Sequence, residues 1–129
     1  METTLKTQKA YDLHQDHTEW INSLDFYKEE IIIFQRRIEE IASKNNSSKI
    51  LKMIDSFQNR LIIQRNEIDI LKHHISDHEV YIKNKVAHNP AADHIHLLDH
   101  NNEKDSFLFF EKLFAELRKD LYTFLSKHM

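Results

Sequence analysis

Residues 71–81 read LKHHISDHEVY. Leu71, Ile75, His78 and Ile82 are separated by four, three and four residues, the spacing of one face of an α-helix. His78 stands where that spacing asks for a core hydrophobe. His74 lies one turn before it on the same side of the helix. The stretch therefore predicts a helix with a buried seam, and an imidazole within that seam.

Followed backwards, the seam continues through Ile68, Gln64, Leu61, Phe57, Ile54 and Ile50. This predicts a second helix over about residues 48–88, capped by Ser47 or Ser48 and ended by His88-Asn89-Pro90. Upstream, Leu13, His17, Trp20, Leu24, Tyr27, Ile31, Phe34, Ile38 and Ile41 keep the same heptad rhythm. They predict a first helix over about residues 4–44, with His17 as its polar seam residue. Downstream, Phe107, Phe110, Phe114, Leu117, Leu121 and Phe124 define a third helix. Its register carries back to Glu103, His100 and His96. The poor helix formers His100-Asn101-Asn102 leave residues 90–104 as either its first half or an irregular connection. The long helix, about residues 90–127, matches the others at about 40 residues or ~60 Å.

Short links between such helices force neighbours to be antiparallel. The expected fold is all-α: an up-down-up three-helix bundle, one domain over residues 1–129, with heptad-like seams. The chain has no glycine and a single proline, Pro90. Glycine-rich phosphate loops and Rossmann chemistry are thereby excluded. It has no cysteine, which removes disulfides, thiolate nucleophiles and cysteine-ligated metals. No apolar run has the length of a membrane span, and METTLKTQKAYDLHQDH has no signal-like apolar core. The expectation is a cytoplasmic protein. A net charge of −3 with scattered Lys and Arg gives no nucleic-acid footprint and no basic membrane face. Glu29-Glu30 and Glu39-Glu40 are sequence neighbours that point apart on a helix, so they form no acid–base pair.

Ten histidines are many for a chain of 129 residues. Simple back-folding at the two links places His17 beside His74, His14 beside Asp77, His78 beside His100, and Ile75 beside Glu103. Three pairs with helical spacing then meet near one end: His14/His17, His74/His78 and His100/Glu103. His17, His78, His100 and Glu103 fall on the seams; His14 and His74 flank them. His73 points away, and His88, His94 and His128 fall outside the group. Several imidazoles with a carboxylate form a donor set for zinc or iron first, and for nickel or copper as well. Two other readings compete. The histidines of a bundle end can be incidental to an interaction or scaffolding role. Clustered imidazoles can also respond to pH. Convergence of three pairs favours the metal site, with His17, His74 and His78 as the leading ligands, then His100 and Glu103, then His14. No substrate is identified and no enzyme class follows.

The HxxxH spacing of His74 and His78 is similar to that used by histidine-rich bundle metalloproteins such as the hemerythrins and DinB-like proteins. Those families use four helices, and their further ligands are not matched here. The resemblance stops at the pair and implies no di-iron oxygen chemistry.

Gln64, a polar seam residue predicted at the level of Tyr27, reads as a register-setting amide. Trp20 and Tyr27 read as core aromatics. A second apolar stripe is formed by Phe26, Ile33, Ile63 and Ile70, with Ile32, Ile62, Leu108 and Phe109 beside it. One narrow seam cannot bury all of these. The expectation is a homodimer through this stripe; the alternative is a thicker monomeric core.

Overall fold

A computed structural model describes the backbone of residues 2–85 and 92–129, and the side chains of residues 12–84 and 99–129. The predicted break at His88-Asn89-Pro90 and the side chains of His88, His94 and His96 lie outside the described residues. Three helices make up the fold: α1 (Glu2–Lys44), α2 (Ser48–Lys85) and α3 (Ala92–His128). α3 runs unbroken from Ala92, so residues 92–104 are helical rather than an irregular connection. The heptad seam outweighs the weak propensities of His100, Asn101 and Asn102, because most helical stability comes from packing an apolar face. No described helix is long and apolar enough to cross a membrane.

The first link shows why the chain turns where it does. Asn45 Nδ2 donates to the Ile41 carbonyl at 2.8 Å, closing the end of α1. Ser47 opens α2: its hydroxyl accepts from the Ile50 amide at 3.5 Å, and its carbonyl accepts from the Leu51 amide. A link this short makes α1 and α2 antiparallel. Arg60 meets Asp120 on α3 and His78 meets Glu103, so α3 returns antiparallel to α2 and parallel to α1. The architecture is the expected up-down-up bundle.

The seam residues of all three helices form one core. Leu24, Ile31, Ile38, Leu61, Ile68, Phe114 and Leu121 are fully buried in it. Aromatic contacts join the helices along its length. Trp20 stacks on Phe107, Tyr27 packs against Phe110 and Phe114, and Phe57 packs against Phe124. Arg118 on α3 locks α1 through a two-point pair with Glu30 at 2.9 and 2.6 Å, lying over the Tyr27 and Phe114 rings. The Tyr27 hydroxyl donates to Glu111 at 2.5 Å. Burial, then this bond, pushes its pKa up to about 12. Gln64 is partly buried on the seam, and its amide oxygen accepts no hydrogen bond.

The facing register differs from simple back-folding. Lys28 pairs with Asp69 and Lys72 with Asp25. At the same register His17 meets Glu79, not His74. Side chains lean toward the N terminus of their own helix. In an antiparallel pair the two sets lean past one another, so the tips that meet belong to residues farther along both chains. The same shift brings His78 to Glu103.

Phe26, Ile33, Ile63 and Ile70 remain 49–62% exposed, so they do not thicken the core. Phe26 and Ile33 line an open groove of about 530 Å³ between α1 and α3, with Tyr122 and Met129. Ile63 lines a second groove between α2 and α3, with Phe109. Both grooves flank the outer face of α3. Phe114→Ala should therefore cost about 3–5 kcal/mol of unfolding free energy in chemical denaturation. Phe26→Ala should cost less than about 1 kcal/mol in dilute protein, because it leaves no cavity.

Candidate metal centre

Four polar seam residues meet at the end of the bundle away from the α1–α2 link. His17 comes from α1, His78 from α2, and His100 and Glu103 from α3. The three imidazoles are 1, 8 and 4% exposed, so this is core rather than a frayed end. His100 and Glu103 are one turn apart on α3 and project to the same side. Donor atoms of these four residues lie within 4.8 Å of one another, and the group could hold a metal ion.

Glu103 is at the centre. Its carboxylate lies 2.9 Å from His17 Nε2, 3.0 Å from His78 Nδ1 and 3.9 Å from His100 Nδ1. Tetrahedral bonds of 2.0–2.1 Å separate neighbouring donor atoms by roughly 3.3 Å. His17 Nε2 and His100 Nδ1 face one Glu103 oxygen, at distances below and above that value, and His78 Nδ1 faces the other oxygen.

The outward nitrogens of two rings are also held. His17 Nδ1 donates to Glu79 at 2.7 Å. His100 Nε2 donates to Asp16 at 3.0 Å. An outer carboxylate on a ligating histidine fixes its tautomer and orients its ring. With its Nε2 proton directed at Asp16, a neutral His100 presents a bare Nδ1 lone pair inward. Among the described residues that nitrogen is buried without a hydrogen-bond partner. The atom it faces, a Glu103 oxygen, is another acceptor.

The charges follow from these contacts. Burial disfavours charge on His17, but its hydrogen bonds to Glu103 and Glu79 outweigh burial and raise its pKa. Burial likewise opposes ionisation of Glu103, and the bonds to His17 and His78 overcome it, lowering its pKa. Glu79 is lowered in the same way by His17 and His14. His100 is pushed down, first by burial and then by the charge of His17, against the pull of Asp16. Trp20 closes one side, stacked on His100 with ring centroids 4.9 Å apart and lying 5.7 Å from the His17 ring.

Of the six residues expected from sequence, the fold thus gathers His17, His78, His100 and Glu103. His14 is half exposed and reaches the group only through Glu79, with which it pairs. His74 is exposed on α2 and stays outside the cluster. It sits on the flank of α2 that carries Arg60 toward α3, whereas Lys72 and Glu79 occupy the flank facing α1. The level predicted for His74 is taken by Glu79, so the HxxxH resemblance has no counterpart at the centre. His73 pairs with Asp77 at the surface, and His128 packs on Phe124 at the opposite end of the bundle.

Asp16 and Glu79 were not expected from sequence. Each is adjacent in the chain to a seam histidine, Asp16 before His17 and Glu79 after His78. That adjacency was the available signal. Comparison with protein families, curated proteins and solved structures gives no significant match to any of them.

The shifts set the pH dependence of the metal-free protein. Glu79 and Glu103 are lowered, so their contribution is present above the ordinary 4.5 and is lost as pH falls through their folded values. His17 is raised, so its contribution is complete below 6.5 and is lost as pH rises through its folded value. His100 is lowered and disfavours folding as pH drops below 6.5. Thermal stability should fall on both sides of a maximum between about pH 4.5 and 6.5. His17→Gln should flatten the alkaline limb, and Glu79→Gln should weaken the acid limb, in melts taken across that range.

Proposed function

We propose that this protein binds a divalent transition metal ion through His17 Nε2, His78 Nδ1, His100 Nδ1 and one oxygen of Glu103. One observation carries the reading: the buried His100 Nδ1 lone pair faces the Glu103 carboxylate at 3.9 Å, and no described residue donates to it. Two acceptors aimed at each other inside a core are costly unless a cation lies between them. Three nitrogens with one carboxylate favour zinc or iron(II), then nickel or copper, over the oxygen-seeking magnesium and calcium. Asp16 and Glu79 act as the orienting outer carboxylates. Exposed His74 is left out of the donor set, and His14 supports Glu79 from outside.

Untagged, dialysed protein should retain close to one equivalent of metal by elemental analysis. Zinc at 100 times its dissociation constant should raise the melting temperature by about 10 °C, from the ~2.7 kcal/mol that mass action supplies. His78→Ala and His100→Ala should abolish both effects, and His74→Ala should change neither. Metal below about a tenth of an equivalent, with no thermal response, returns the histidines to an incidental role.

A second reading concerns assembly. The exposure of Phe26, Ile33, Ile63 and Ile70 favours a homodimer. The two grooves that Phe26, Ile33 and Ile63 line flank one helix, and Leu108, Phe109 and Tyr122 on that helix are exposed as well. Together they offer one apolar face centred on α3, of the kind that a second copy covers. Light scattering at micromolar concentration should give twice the chain mass. Phe109→Glu should halve that mass without loss of helicity; a wild-type monomer removes the proposal.

A further inference from the structure

The metal reading leaves open whether the ion would do chemistry or hold the fold together. Catalytic zinc keeps one coordination position for water or substrate, whereas structural zinc is closed by four protein ligands. Resting on the donor set above, we propose that the centre is a closed, four-coordinate clamp for a zinc-sized ion, and that its role is to tether α1 to α2 and α3.

Three features support closure. Four protein donors are already gathered, the full count for a tetrahedral ion. The three rings are almost wholly removed from solvent, and ring packing fills the space beside them. His17 lies 5.2 Å from His78 and 5.1 Å from His100 by ring centroids, and Trp20 stacks against His100. Finally, the outward nitrogens of His17 and His100 are bound to carboxylates of their own, so those rings cannot swing away without breaking a second contact.

The tether follows from where the donors come from. Each helix supplies at least one. α1 is joined to α2 only through residues 45–47, at the far end of the bundle. Near His17, the contacts that hold α1 to its neighbours among the described residues are side-chain packing and the carboxylate contacts. A metal bond from His17 to donors on α2 and α3 joins the three helices where the chain itself does not. Dissociation of that bond is then the event that lets the first half of α1 separate.

Cobalt(II) separates the possibilities, because it takes tetrahedral zinc sites and its visible spectrum reports coordination number. The cobalt-loaded protein should show the intense visible bands of a four-coordinate ion, and azide should not change them. Glu103→Ala should open the shell, so that azide then shifts the bands. Faint bands, or an azide response in the unmutated protein, would overturn closure while leaving metal binding intact. Failure to take up either cobalt or zinc overturns both readings. For the tether, amide exchange over residues 13–24 should slow by about 100-fold at free zinc 100 times its dissociation constant. Unchanged exchange there, in protein shown to hold zinc, overturns the tether.

Discussion

A carboxylate largely removed from solvent must be compensated, and Glu103, with its side chain 15% exposed, is compensated from all three helices. It accepts from His17 on α1, lies against His78 on α2, and shares its own helix with His100. An unpaired ion at that depth is far more costly than any single core contact is favourable. The arrangement therefore specifies how the helices must be placed. A slide of one turn along α1 would take His17 from both Glu79 and Glu103, and a slide along α2 would take His78 from Glu103. The apolar seams alone tolerate such slides better, since one layer of leucine and isoleucine resembles the next. The polar layer supplies register, and the aromatic and aliphatic layers supply most of the stabilisation.

The same logic explains the α1–α3 contact. Those two helices run parallel and are not joined directly in sequence, yet they carry a two-point ion pair and a tyrosine–carboxylate hydrogen bond outside the histidine layer. The Arg118–Glu30 pair, the Tyr27–Glu111 hydrogen bond and the Tyr27–Phe114 packing lie along one seam. Arg118 is held further toward its charged form, chiefly by the Glu30 contact. Where no short link fixes the spacing of two helices, side chains with directional bonds fix it instead.

Much of this was legible in the sequence because it depends on periodicity. The steps of three and four that place Leu24, Phe57 and Phe114 in the core also place His17, His78, His100 and Glu103 there. Facing partners were harder, because they depend on how far each side chain leans and on which flank of a helix meets which neighbour. His74 and Glu79 illustrate this. Both sit beside the α2 seam, five residues apart, but on opposite flanks. Counting residues from the link favours His74; the lean of antiparallel side chains favours Glu79. The stripe of Phe26, Ile33, Ile63 and Ile70 was legible as exposed apolar surface. The separate grooves lined by Phe26 with Ile33 and by Ile63 were not, because they depend on how the third helix lies against the other two.

Trp20 is the sole tryptophan of the chain, and its indole lies flat against the His100 ring, with 22° between the planes. The protein therefore carries its own optical probe, one ring away from the proposed ion. A closed-shell ion such as zinc would alter the emission only by changing the charge and polarity around the indole. An open-shell ion such as copper(II) or nickel(II) would quench it. Whether a bound ion is closed- or open-shell would thus be readable in the fluorescence of a core residue, in unlabelled protein and without removing the ion.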